Sequence, residues 1–394
     1  MNRREPRQGP TPGRVLFFVV LMDLVGFGIV LPLLPTSAAE FSSSETAIGV
    51  LVASFSFMQF LVAPWWGRVS DRVGRRPVLL LGLASTAVSY LLFPYAQSYW
   101  MLLVSRLLAG GLGATVNVAQ AFLADITPPP GRARAMGIIG VAFGLGFIIG
   151  PALAALTSHS GPAVPGITAA VFCLASFLVA WRSLPETRVH RPPTPRGPVP
   201  WRLVMAPYLT MLLSVIGFAA ITVVFPLFTE EALGLERRGT SMLFVLMGIS
   251  SAIVQGWLIG KLVPRLGERT LMAGGSVLLA IGLALIPLGD MLGLAGGARW
   301  FVLILALIGL SAGTGFVWPA VAGFISRSTT DRDQGRALGL LHSIASIARV
   351  IGPIAIGFVG ERGGFHEAFL IAAALSMVAA LTAALARHDT RAGA

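Results

Sequence analysis

Long apolar runs separated by short polar breaks dominate the chain. Runs able to cross a hydrocarbon core, about 20 residues each, are expected at 15–37, 48–68, 77–96, 99–124, 134–157 and 163–183. After a longer polar break they resume at 204–229, 241–262, 270–289, 299–325, 336–359 and 368–386. Proline and glycine inside these runs do not count against them, because membrane helices tolerate both. The expectation is an all-α integral membrane protein of twelve spans. The break 184–203, LPETRVHRPPTPRGPVPWRL, is rich in proline and arginine and reads as an extended linker between an N-terminal half, 1–183, and a C-terminal half, 204–394.

Composition fits this reading. Hydrophobic residues make up 55% of the 394 positions, charged residues only 12%, and mean hydropathy is +0.80; soluble chains carry about 25% charged residues. The formal charge of +12 raises the question of nucleic acid, but the placement of the charges answers it. At the span ends and in the loops, only Arg237, Arg238, Arg299 and Arg362 fall on one side. The other basic residues outside the spans lie at the termini, in the linker, and in the 2–3, 4–5, 8–9 and 10–11 loops. The positive-inside rule puts that side, with both termini, in the cytoplasm, so the basic charge sets topology and calls for no nucleic acid. No cleavable signal peptide is expected, since the first apolar run is long and ends in Gly/Pro-rich sequence. The single cysteine, Cys173, excludes a disulfide scaffold or thiolate metal cluster. No phosphate-binding loop, zinc-ligand cluster or hydrolase elbow is present, so neither enzyme chemistry nor a cofactor is expected.

The halves repeat each other. Segment 111–151 aligns with 313–353 at a constant offset, pairing Gly111 with Gly313, Arg134-Ala135 with Arg336-Ala337, and Gly150-Pro151 with Gly352-Pro353. A second register pairs Gly67…Arg72-Val73-Gly74-Arg75-Arg76 with Gly260…Arg265-Leu266-Gly267-Glu268-Arg269. Parallel six-helix copies around one site are a known plan for secondary transporters.

Charges at membrane depth are costly and functional by default. Three are expected: Asp23 in span 1, Arg106 in span 4 and Arg349 near the middle of span 11. Asp23 is the leading protonatable group; the competing reading is a fixed ion pair with an arginine, or a capped kink beside Gly26 and Gly28. Arg106 and Arg349 suit an anionic part of a substrate or electrostatic control of Asp23, and His342, at the start of span 11, titrates in a useful range. Arg106, Gly110, Gly113, Asn117 and Gln120 recur at helical spacing and should share one face, toward a cavity or a close partner helix. Gln59, Gln255, Phe27, Phe218 and Trp318 are further candidates for lining the cavity, or else packing residues. Span 5 carries Gly140/Gly144 and Gly146/Gly150 at GxxxG spacing, where helices approach closely, and Pro151 should bend or end the helix. In the 2–3 loop, Asp71 among four arginines suggests a conformational lock, with Asp125 at the end of span 4 a partner for Arg75.

These motifs resemble the major facilitator superfamily, and within it the twelve-span drug:proton antiporters of the tetracycline-resistance type. The run 67–77, GRVSDRVGRRP, is similar to the superfamily's loop signature, and the resemblance implies that Asp71, Arg75 and Asp125 form a relay, with Asp71 near the start of span 11 in the outward-facing state. The run 23–35, DLVGFGIVLPLLP, resembles the antiporters' first-span signature. Arg106-Leu107-Leu108-Ala109-Gly110 is similar to a span-4 motif whose arginine is tied to proton transfer. Gly146 and Gly150-Pro151 resemble a span-5 motif of antiport rather than uptake. The implied function is proton-coupled drug efflux, a form of antibiotic resistance, across the bacterial cytoplasmic (inner) membrane. Small-molecule substrate, protons and lipid are the implied partners, and a monomer suffices.

The sequence also departs from that pattern. Pro264 stands where the second loop would carry an aspartate, spans 3 and 9 hold no internal carboxylate, and span 8 holds no histidine. This favours a drug or amphipathic metabolite over the metal–tetracycline chelate, and loads the proton on Asp23 unless Glu230 or Glu231 contributes. The alternatives are a proton-coupled uptake symporter for a sugar or organic anion, and a non-transporting receptor.

Overall fold

The computed structural model describes residues 12–42, 44–113, 115–127, 132–187, 201–329 and 333–386. Most of the expected linker, at 188–200, lies outside the described residues, as do Arg3, Arg4, Arg7 and the tail arginines. Among the described residues the N-terminal half comprises α1 (Pro12–Val30), α2 (Leu34–Ala39), α3 (Glu45–Val73), α4 (Arg75–Leu92), α5 (Tyr99–Leu112), α6 (Thr115–Ile126), α7 (Arg132–Thr157) and α8 (Val164–Ser183). The C-terminal half comprises α9 (Trp201–Glu231), α10 (Arg237–Ile253), α11 (Ile259–Met291), α12 (Gly296–Arg327) and α13 (Gln334–Ala384).

Ten apolar helical stretches are long enough to cross a membrane. Two are too long for one crossing: Arg237–Met291 has 55 residues and Gln334–Ala384 has 51, each more than 70 Å at roughly 1.5 Å per residue. Each is divided by a glycine with non-helical backbone, Gly267 at φ 75° and Gly364 at φ 79°, a conformation that costs glycine nothing. Gly267 matches Gly74, which has φ 115° between α3 and α4. The two long rods therefore each supply a pair of crossings, in agreement with twelve spans.

Local signals start the helices where they start. Ser44 accepts a hydrogen bond from the Ala47 amide and Ser98 one from the Met101 amide, and both sit as N-caps. Large apolar side chains such as Phe18, Trp100, Phe301 and Leu385 stay exposed on the outer faces, as a lipid solvent requires.

The buried side chains fall into three groups. One cluster joins both halves, running from Val25, Ile29 and Leu51 to Phe225, Phe228, Ile356 and Phe369, at the end remote from the arginine-rich loops. Toward the basic end the core divides. One cluster belongs to the N-terminal half, around Leu16, Trp66, Leu79 and Phe122. The other belongs to the C-terminal half, around Tyr208, Met272, Phe316 and Phe324. The halves thus share one core at the far end and have separate cores toward the basic end.

Two expectations need correction. Span 4 is not one continuous helix: α5 ends at Gly113, whose backbone leaves helical space at φ −77°, ψ 58°. The expected single face from Arg106 to Gln120 is therefore interrupted. Of the two outcomes expected at Pro151, a bend or an end, the end is excluded, since α7 continues through it to Thr157.

Candidate functional site

The far-end seam is built largely from backbone. On α3, a methyl at Gly49 would lie 2.8 Å from the Pro353 carbonyl carbon of α13, and closer still to its oxygen. One turn on, a methyl at Gly357 would sit 3.0 Å from the Glu45 carbonyl carbon. Glu361 accepts hydrogen bonds from the Ser44 hydroxyl (2.8 Å) and the Thr46 amide (3.1 Å), so a C-terminal-half carboxylate caps an N-terminal-half helix. Arg237 pairs with Glu40 across the same seam. Deeper in the membrane, Gly248 of α10 lies against the Phe147 backbone of α7.

Asp23 sits midway along α1. Cys173 of α8, fully buried, donates to its Oδ1 at 3.6 Å, and Thr115 of α6 is close enough to interact with the same carboxyl. Gly26 makes room: a methyl there would lie 3.1 Å from both Cys173 Sγ and a Tyr90 ring carbon. Tyr90, only 1% exposed, lies beneath the Arg106 guanidinium, whose Cζ is 5.4 Å from the ring centroid, a cation–π arrangement. Arg106 also donates to Ser89 Oγ at 3.3 Å. A line Asp23–Cys173–Tyr90–Arg106 therefore joins four helices of one half. Among the described residues no ion pair involves Asp23, Arg106 or Arg349, so the alternative of a fixed Asp23–arginine pair is not formed.

The other candidates scatter. Phe27 joins Phe55 (5.7 Å between centroids) and Phe147 (6.2 Å) in an aromatic group across α1, α3 and α7. Asn117 is exposed, and Gln59 and Gln120 are half-buried. Gly110 packs on the Phe55 backbone and Gly113 is a helix cap, so both have packing or backbone roles. Phe218 and Trp318 pack against the clusters at opposite ends of the C-terminal half. Gln255 lies exposed in a π-helical turn, Val254–Leu258, and donates to Ser251 Oγ at 2.8 Å; such turns mark functional segments often enough to keep it in view. In α13, Arg349 donates to Ser346 Oγ at 2.8 Å, and His342 one turn further is exposed. In α7, Gly146 and Gly150 lie directly on Leu24 and Gly28 of α1, but Gly144 has nothing within 4 Å, and the surroundings of Gly140 lie outside the described residues. No group of three or more potential metal ligands occurs among the described residues.

At the basic end, Arg75 donates through Nε to Asp125 Oδ2 (3.0 Å), through Nη2 to Asp71 Oδ1 (2.7 Å) and through Nη1 to Ser70 Oγ (2.6 Å). The Asp125 side chain is 6% exposed and that of Asp71 60%, so the first contact is interior and the second faces solvent. Sequence reasoning missed Glu186. Its carboxylate accepts from the Arg75 amide at 2.7 Å, and so caps α4, a helix that begins Gly-Arg-Arg-Pro with no capping side chain of its own. Two cations at a helix N-terminus oppose the macrodipole; that conflict was the readable signal for a nearby anion.

The C-terminal half repeats this assembly with its charges exchanged. Glu268, at the place of Arg75, pairs with Arg327, at the place of Asp125. Arg269 reaches the Ala384 carbonyl as Arg76 reaches that of Trp181. Pro264 falls where Asp71 does, and the exchange explains it: an aspartate there would stand one turn from Glu268 and repel it.

Two halves built of membrane-length helices, with a charged loop signature at one end, fit a membrane carrier, and a family comparison agrees. Residues 16–310 and 208–394 match the Major Facilitator Superfamily, and the chain belongs to that family. It is 32% identical over 355 residues to the tetracycline resistance protein, class B, of Escherichia coli, covering 86% of each chain. It is 28% identical to multidrug resistance protein 1 of Bacillus subtilis (strain 168), covering 94% of this chain and 95% of that one. In fold it resembles the human organic anion transporter MFSD10 (TETRAN), with a TM-score of 0.72, 24% identity, and 95% and 100% of the two chains covered.

Proposed function

We propose that this protein exports small amphipathic, drug-like molecules in exchange for protons by alternating access. Likeness to drug-resistance proteins along nearly the whole chain carries the reading. In this account Asp23 takes and releases the proton. Cys173 holds its carboxyl while no arginine fixes its charge, which leaves it free to change protonation state. The halves 1–183 and 204–394 rock about the cavity, joined by the linker 184–203. The basic end faces the cytoplasm with both termini. Arg75–Asp125 and Glu268–Arg327 steady the inner ends of the halves, and the seam of Gly49 and Gly357 closes the outer end. Both halves of the pathway lie in one chain, so a monomer suffices.

Proteoliposomes with an imposed pH gradient test this. With tetracycline, ethidium and a fluoroquinolone as probes, an acid lumen drives at least one drug inward by antiport, whereas uptake symport needs an acid exterior. Asp23→Asn abolishes the gradient-driven accumulation while drug binding persists. Intact accumulation in that variant would remove Asp23 from the coupling role.

A further inference from the structure

We propose that the transported molecule carries an anionic group beside an aromatic or apolar body, and that Arg349 receives the anion; the inference rests on the export reading above. It begins with one face of α13. Gly335, Gly339, His342, Ser346, Arg349 and Pro353 follow one another at spacings of three and four, as residues on a single helix face do. At its outer end this face touches the N-terminal half, where Pro353 meets Gly49 and Gly357 meets Glu45. The same face therefore points at the N-terminal half along its length. Toward the basic end this face becomes exposed. Gly335 and Gly339 have nothing within 4 Å of where a side chain would begin, and His342 is exposed. Arg349 lies one turn from Pro353 and the closed seam.

Its charge has little to meet there. The one described hydrogen bond of its guanidinium goes to Ser346 on its own helix, although a guanidinium offers five donors. His342 is near enough for the two charges to interact, and that interaction is repulsive when the imidazole is protonated. On the facing half, Asp23 is held by Cys173, and Arg106 is turned onto Tyr90 and Ser89. Placing a cation at membrane depth is expensive unless something pairs with it. A carboxylate, sulfonate or phosphonate fits the fork with two parallel hydrogen bonds, whereas a cationic drug or a metal–drug chelate of net positive charge is repelled.

The repeat supplies the other part of the ligand. In the register that pairs Gly150 with Gly352, the counterpart of Arg349 is Phe147. Phe147 forms the aromatic group with Phe27, and its backbone lies against Gly248 at the contact between the halves. At equivalent depths, then, one half presents rings and the other a guanidinium. An aryl anion spans that pair.

The test uses two permanently charged compounds of similar shape, 1-naphthalenesulfonate and trimethyl(1-naphthyl)ammonium, in proteoliposomes of the full chain under both pH gradients, with uptake quantified by mass spectrometry. The sulfonate is expected to move at least ten times faster than the ammonium. Arg349→Gln should lower sulfonate flux about tenfold or more, and Arg349→Lys should retain part of it, both variants eluting as the same monodisperse species as the parent. Equal or faster movement of the ammonium overturns the proposal, as does sulfonate flux unchanged by Arg349→Gln. If neither naphthalene moves while tetracycline or ethidium does, the anion proposal falls and the export reading stands. If nothing moves under either gradient, the export reading falls with it.

Discussion

Adding one methyl at Gly49 should tilt the balance between the two states of the carrier. The added carbon would lie 2.8 Å from the Pro353 carbonyl carbon and 3.2 Å from Ile354 Cα. These are backbone atoms inside a helix and cannot rotate aside, so α3 and α13 would have to separate by roughly 1 Å to restore normal contact. Overpacking of this kind costs about 1–3 kcal/mol. Alanine also improves helix propensity by about 1 kcal/mol, but that gain is present in both states and cancels. The penalty falls only on the state whose outer seam is closed, so Gly49→Ala should shift the equilibrium about 5- to 150-fold toward the outward-open state. Nitroxide labels at Val73→Cys and Gly335→Cys, on the basic ends of α3 and α13, report the change by pulsed EPR as a shorter distance. The buried Cys173 can stay in place. Gly357→Ala should act in the same direction. Gly67→Ala, with nothing within 4 Å, should leave the distances unaltered. If Gly49→Ala and Gly67→Ala gave the same distance distribution, the seam would not be what holds the closed state, and the reasoning would be refuted.

The ion pairs at the basic end give further expectations. Asp125→Asn leaves Arg75 without its interior partner and should cost about 3–5 kcal/mol, seen as a lowered unfolding temperature in detergent. The exchange Arg75→Glu with Asp125→Arg should fail to recover stability while Asp71 remains one turn away, and should recover it once Asp71→Asn is added. In the C-terminal half, Glu268→Arg with Arg327→Glu should retain stability without a third change, because Pro264 carries no charge. Glu186→Gln should destabilise the start of α4 by under about 1 kcal/mol, visible as faster amide exchange at Arg75 and Arg76.

Hydropathy made the spans legible because lipid allows a backbone no other way to satisfy its hydrogen bonds. The Arg75–Asp125 contact was legible because its members sit at predictable loop ends. Other features depend on which neighbour a residue meets, and one sequence does not say. Gly144 and Gly146 look alike in a glycine-rich run, yet only Gly146 lies on α1. Gly110 and Gly113 carry the spacing of a cavity face but serve as a packing site and a helix cap. Glu186 is remote in sequence from the amides it caps. The exchanged ion pair was half visible: Arg75 aligns with Glu268 in one register of the repeat and Asp125 with Arg327 in the other. Only the fold places the two substitutions side by side.

That exchange of polarity would also disfavour the sister halves borrowing each other's helices as the chain is made. Repeated units are prone to mispairing during synthesis, since each offers surfaces shaped like its twin's. Were α4 to dock against α12, Arg75 would confront Arg327; were the start of α11's second crossing to dock against α6, Glu268 would confront Asp125. Both encounters would set like charge on like charge, at a cost the native pairs do not carry. Each half thus carries its own electrostatic address, written in two residues apiece.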